Sequence, residues 1–413
     1  MRKPAQWGKG VEGLAKQPTQ SLYEVCQHLT EGRAARGKTD ELAGFVVLLF
    51  LAKLAGMKSL QGASDRVQDQ QTRVRSERAR KWKRMPCRNT YQYALERLDS
   101  QKANECLAGW LIRKEAESRC GEEPGRLAAQ AEQRSVHLAL AGKGLKGIGE
   151  QPYGGEKPQK HGLHIYEVQT GIVLHHCPIL EKQNAVSALK PLLTEVVCQG
   201  RILTADAAQS DHECARLVKR AGGDVILVIN DTPPATYADL DLLFADPQAD
   251  PRTWQSDDQQ EKGQGRREKR WLLTTPDLND SLYREWGEIG QVFRLQPERY
   301  TSQTSSIEVM DGLTTLNLQS CPPQQLFRLI REHWARENRL HGRRDVTLGD
   351  DRCGIRVPAG AQRLAVLNSV VLALMDAHHI SNVARQLRRF SSPPDEAVAW
   401  VLGLLKGPDE RAG

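Results

Sequence analysis

A chain of 413 residues, 39% hydrophobic and 26% charged, is long enough for two or three domains at roughly 150 residues each, which excludes a peptide, a mini-protein and a disordered chain. Lysine and arginine number 58 against 51 acids, a formal charge of +7 that bears on partners only where it clusters. The nine cysteines form no CxxC pair, which argues against a disulfide framework and a zinc ribbon and points to a reducing, cytoplasmic setting.

The opening MRKPAQWGKG has no signal-peptide apolar run. Phe45 to Ala55, the longest apolar stretch, is too short for about 30 Å of hydrocarbon and contains Lys53, so it reads as a buried helix and no membrane is expected. Residues 20 to about 120 read as helical: Thr39, Asp40 and Glu41 make a cap and charged first turn for a helix stopped by Gly56, and further helical patterns cover 59–71, 90–98 and 100–118. Between them, RVRSERARKWKRMPCR sets Arg73, Arg75, Arg78, Arg80, Lys81, Lys83, Arg84 and Arg88 against the single acid Glu77. A solvated helix face and a phosphate-binding stripe, with Trp82 packing on a sugar or base, both remain open.

From residue 134 the pattern becomes β-like. Ser135–Ala141 leads into a glycine-rich turn, LHIYEV (163–168) and IVLHHC (172–177) read as a hairpin, and a helix over 184–198 ends at Gly200. Strand RILTAD (201–206), helix 209–221 and strand DVILVI (224–229) follow. Three antiparallel strands and then parallel strands reached through helices is the order of a ribonuclease H-like sheet. A polar, proline-containing stretch from 235 to about 320, with β-like runs at 288–296 and 307–318, reads as a β-rich insertion before a long helix from Gln324.

Gly142-Lys143-Gly144-Leu145-Lys146-Gly147 spells GxGxxG, and Glu167 stands 20 residues beyond it. Pro152, Gly154, Gly155 and Pro158 forbid the helix that would hold a pyrophosphate, so no nucleotide cofactor is expected. His175-His176-Cys177 alternates between sheet faces and is read, like His378-His379, as an ordinary histidine pair. Asp206 ends an apolar strand, where open α/β sheets place ligands, and could equally cap the next helix. In RLIREHWARENRLHGRRD, Ile330, His333, Trp334, Glu337, Leu340, His341 and Arg344 share one helical face. A buried acid there needs a metal or a cation, and Arg331, Arg336 and Arg343 are at hand.

These motifs resemble DDE-type insertion-sequence transposases, in particular the H-repeat-associated group with a helical transposase-associated N-terminal domain, over roughly residues 20 to 390. ILTADAAQ (202–209) resembles that family's strand bearing the second catalytic aspartate, and RLIREHWARENRLHGRRDV (328–346) its glutamate-bearing helix; GQGRREKR (263–270) and RLAVLNSVVLALM (363–375) match in character and order. The resemblance implies an α/β fold: a ribonuclease H-like mixed sheet flanked by helices, in core segments 126–234 and 323–395. An all-helical DNA-binding domain (1–125), a β-rich insertion (235–322) and a tail (396–413) complete it. It implies Asp206 and Glu337 as catalytic and metal ligands, supported by Lys143, Arg331, His333, Trp334, Asn338 and His341. DNA contacts would come from the 73–88 stripe with Arg266 and Arg267.

In such enzymes three carboxylates hold two Mg²⁺ (or Mn²⁺) ions, suited to hard oxygen ligands, for strand cleavage and transfer at element ends. The implied partner is double-stranded DNA carrying terminal repeats, bound by a homodimer on paired ends in the nucleoid. One departure matters most: the family's first motif begins with aspartate, and here that position is Ala141, with Glu132 and Glu150 each nine residues away. Asn230-Asp231-Thr232-Pro233, Gln264 and Leu340-His341-Gly342 depart further. The expectation is therefore a transposase by descent with an incomplete triad. Its alternatives are a catalytically silent DNA-binding protein, acting as repressor, architectural factor or dominant-negative partner, and a decayed copy without function.

Overall fold

The structure, a computed structural model, describes residues 21–29, 42–70, 85–99, 102–103, 106–111, 137–144, 161–169, 171, 173–179, 189–190, 193–207, 210–229, 233–245, 252–263, 266–300, 305–350, 355, 357–378, 380–392 and 395–402. In chain order the elements are helices α1 (Leu22–Cys26), α2 (Leu42–Leu54), α3 (Leu60–Asp69) and α4 (Arg88–Arg97), then strands β1 (His137–Gly144), β2 (His161–Glu167) and β3 (Val173–Ile179). Next come α5 (Glu195–Cys198), β4 (Ile202–Ala205), α6 (His212–Arg220), β5 (Asp224–Ile229) and α7 (Pro234–Ala245). They are followed by β6 (Gln255–Gly263), β7 (Arg266–Thr275), α8 (Asn279–Trp286), β8 (Gln291–Tyr300), β9 (Ser305–Ile307) and β10 (Met310–Thr314). The last are α9 (Pro323–Gly342), a π-helical turn (Arg343–Thr347), α10 (Pro358–Ala377), α11 (Val383–Ser391) and α12 (Asp395–Leu402).

Two compact units emerge, the first made of Met1–Arg134, Lys143–Lys182 and Asn338–Gly413, the second of Ser135–Gly142 and Gln183–Glu337. In the first, α2 is buried almost along its whole length, as the LAGFVVLLFLAKL run dictates, and Gly56, at φ 81°, ends it where a side chain would be strained. Lys53 is buried and donates from Nζ to the carbonyls of Lys58 (3.2 Å) and Leu348 (3.4 Å). Helix α10 packs on α2 and α4, and α12 on α1 and α2, so N-terminal and C-terminal helices share one core. The segment from 396, expected as a tail, continues α12 to Leu402. Strands β2 and β3 form the expected antiparallel hairpin, with Leu163 opposite Cys177 and Ile165 opposite His175. No helix among the described residues is long and apolar enough to cross a membrane.

The second unit is a mixed sheet with helices around it. Strands β1, β4 and β5 are parallel neighbours, pairing Leu138 with Leu203 and Leu203 with Val225. The order continues through β10, β8, β7 and β6, all antiparallel, with β9 on β8. A parallel strand–helix–strand run and an antiparallel extension together make the α/β mixed sheet expected from the sequence. The 255–314 strands are a continuation of that sheet, joined to it by β10 against β5, where Gly312 faces Val228. Core residues Ile202, Ile226, Leu272, Phe293 and Leu295 from the sheet pack against Leu326, Phe327 and Ile330 of α9.

Candidate functional site

The expected site begins at the carboxyl ends of β1 and β4. The last paired positions are Leu140 and Ala205, so one residue further Ala141 and Asp206 stand side by side. Parallel neighbours lie about 4.8 Å apart, a separation at which two carboxylates would share a cation. Ala141 is fully buried and contributes a methyl group. Asp206 is half-buried; its Oδ1 accepts from the Ala207 main-chain N–H at 2.8 Å, and the Ser210 hydroxyl donates to its carbonyl at 3.0 Å. That turn ends the strand and presents the carboxylate at the sheet edge. Asp211, not Asp206, caps helix α6, its Oδ1 accepting from Glu213 N at 2.7 Å.

Beneath this edge lies a buried polar cluster that joins β1, β4 and α9. The Thr204 hydroxyl sits 2.9 Å from His137 Nε2, 2.7 Å from His333 Nδ1 and 3.1 Å from the Leu138 carbonyl. His137 Nδ1 in turn lies 3.4 Å from Glu332 Oε2. Burial holds the His137 pKa below its ordinary value, against the raising influence of Glu332. The hydrogen bond with His137 Nδ1 keeps the Glu332 carboxyl below its usual range, against the raising effect of burial. The cluster pins α9 to the strands at His333; Glu337 occupies the helix position one turn beyond.

Ile330, His333 and Leu340 are buried on the expected helix face, and Trp334 is half-buried against the core. Arg331 donates to Gln259 Oε1 of β6 at 3.0 Å, and Arg343 to Asp376 Oδ1 at 2.6 Å. Arg344 is fully buried, its Nε bonded to Asp350 Oδ2 at 2.6 Å. For Lys143, Arg266, Arg267, Glu337, Asn338 and His341 the backbone is placed in β1, β7 and α9, and the side chains lie outside the described residues. Arg73, Arg75, Arg78, Arg80, Lys81, Lys83 and Arg84 lie outside them altogether; Arg88 opens α4 and is exposed. Gly142 and Gly144 belong to strand β1, so the GxGxxG string does not open a strand-to-helix turn after its first glycine. His175 is half-buried opposite Ile165, and His378 stacks on Trp400 with centroids 3.9 Å apart.

Among the described residues no three histidine, cysteine or acidic side chains gather where a metal ion could be held. With Ala141 beside Asp206, the described donors do not complete a two-cation site. Thr204 and His137 were not singled out from the sequence, although a threonine inside ILTA and a histidine opening HLALA are polar residues in otherwise apolar strands. That pattern is the signal that marks them.

No family model matches the chain. It is 21% identical over 315 residues to the Escherichia coli K12 protein named "H repeat-associated putative transposase YhhI", spanning 74% of this chain and 78% of that protein. It is 20% identical, with the same coverage, to YbfL of the same strain. These similarities support a transposase-type protein. A Xanthobacter autotrophicus protein encoded 3′ of dhlA is 28% identical over 149 residues, 34% of this chain and 49% of that protein. Among solved structures, a piggyBac transposase synaptic complex with hairpin DNA aligns over 99% of this chain and 85% of that one, with 12% identity and a TM-score of 0.41.

Proposed function

We propose that this chain is a transposase-derived protein that recognises and binds the DNA ends of its element, with cleavage impaired at one ligand position. The observation that carries this reading is the parallel register of β1 and β4, which ends at Leu140 and Ala205 and makes Ala141 and Asp206 the next residues on the two strands, where the family resemblance expects two carboxylates. The relatives' names and the basic 73–88 stretch support the DNA partner. A carboxylate missing from between two divalent cations leaves their charge undercompensated; a 10³-fold loss of rate corresponds to roughly 4 kcal/mol of barrier. Cleavage is accordingly not assigned to the natural chain, and Mg²⁺ or Mn²⁺ is the ion a repaired site would take.

The test compares the natural protein with Ala141→Asp on duplex DNA carrying the flanking element's terminal repeats, with Asp206→Ala as the blank. Binding by both proteins, with Mg²⁺- or Mn²⁺-dependent nicking only after Ala141→Asp, is the expected result. Nicking by the natural protein overturns the impairment, and absence of terminal-repeat binding overturns the function.

A further inference from the structure

Helix α11 offers a second basic surface, separate from the 73–88 stretch. Its nine residues, VARQLRRFS, carry three arginines and no acid. Val383, Gln386, Leu387 and Phe390 are buried, and α11 packs on α2 and the π-helical turn, while Arg385, Arg388 and Arg389 are exposed. Asn382 caps the helix, its Oδ1 accepting from Arg385 N at 2.9 Å, and Arg66 of α3 bonds the Ser391 carbonyl at the other end. The helix is thus held at both termini and on its apolar face, and its arginines project from a fixed support.

Arg389 has an acidic partner, Glu396, at 3.0 Å. Arg385 and Arg388 have none among the described residues. They stand at i and i+3, about one turn apart on the same face. An unneutralised pair of planar guanidinium groups is suited to phosphate oxygens, each fork donating two N–H bonds. A membrane surface does not fit, because insertion needs a free apolar stripe and here that stripe is consumed by the core. The geometry points to α11 as a phosphate-backbone contact for duplex DNA, through Arg385 and Arg388, added to whatever the 73–88 stretch supplies. This rests on the DNA-binding function proposed above.

The experiment measures binding of the full chain to a duplex of unrelated sequence as a function of salt, by fluorescence anisotropy, for the natural protein, Arg385→Gln/Arg388→Gln and Arg389→Gln. Each lost phosphate contact reduces the slope of log affinity against log salt by about 0.9, so the double variant should lose about 1.8. Arg389→Gln, already neutralised by Glu396, should lose less than half of that. Unchanged thermal melting shows that the variants fold, as expected for exposed side chains. If the natural protein binds duplex DNA and the double variant keeps the full slope, the α11 surface is overturned while the DNA-binding function stands. If the natural protein binds neither this duplex nor terminal-repeat DNA, both fall; binding to terminal-repeat DNA alone, or a slope change seen only with duplex RNA, overturns the α11 assignment.

Discussion

Thr204→Val exchanges a hydroxyl for a methyl of similar size and removes the hub between β1, β4 and α9. In the structure that hydroxyl lies within 2.7–3.1 Å of His333 Nδ1, His137 Nε2 and the Leu138 carbonyl. His137 is 0% and His333 3% exposed, so water cannot replace the lost partner without opening the helix from the sheet. Each imidazole nitrogen left unpaired costs about 1–3 kcal/mol, and burial of the new methyl offsets part of this; the net loss is about 2–4 kcal/mol. Amide hydrogen exchange along β1 and β4 is the suitable assay, because it reads the opening of this unit separately from the helical one. Thr204→Ser keeps the hydroxyl and should cost only about 1 kcal/mol, the usual scale of a lost buried methyl. Protection within about 0.5 kcal/mol of the natural protein for Thr204→Val, or equal losses for Val and Ser, would refute the hub.

Further outcomes follow from neighbouring features. His137 is held below its ordinary pKa of 6.5, so the unfolded chain binds a proton first; stability is complete above about pH 6.5 and declines as the pH falls below it, and His137→Gln should flatten that decline in a pH series of unfolding midpoints. Arg294 grips the buried Asp311 carboxylate through Nε and Nη2, both at 2.7 Å, so Arg294→Met should destabilise by about 3–5 kcal/mol in urea unfolding, with Asp311→Leu added to it recovering much of the loss. Gly312→Ala would drive a Cβ into the Phe293 ring and to 2.5 Å from the Leu227 carbonyl, costing about 3 kcal/mol and lowering the melting temperature. Ala141→Asp buries a second carboxylate beside Asp206; the variant should melt below the natural protein in chelator and recover in Mg²⁺, and equal melting in both conditions counts against a shared cation position.

What the sequence determined by itself is local. The continuous apolar run Phe45–Ala55 specifies a buried helix, and Gly56 its end, because helix propensity, burial and a positive φ are decided within a few residues. LHIYEV, RILTAD and DVILVI declare strands in the same way, and the glutamate-bearing motif lies on a helix as read. Strand β6 and the first half of β7 stayed hidden since QSDDQQEKG and RREKR are polar on both faces, so no apolar alternation marks them; pairing with neighbouring strands holds them extended, and β7 is anchored further on by its buried Leu272 and Leu273. Helix α8 was likewise concealed in a polar stretch, its buried positions among the described side chains being Leu282 and Trp286.

Register and long-range packing belong to the tertiary structure. Residues 141 and 206 become neighbours through the parallel pairing of β1 with β4, and Thr204 meets His333 across 129 positions of sequence. Helices near both ends of the chain share one core because the faces of α2 and α10 are apolar nearly all round and each needs the other to leave water. Side-chain periodicity is set by the backbone's own repeat and can be read along the chain; which strand pairs with which, and which polar atoms find each other in the interior, is decided only when distant segments bury their surfaces together.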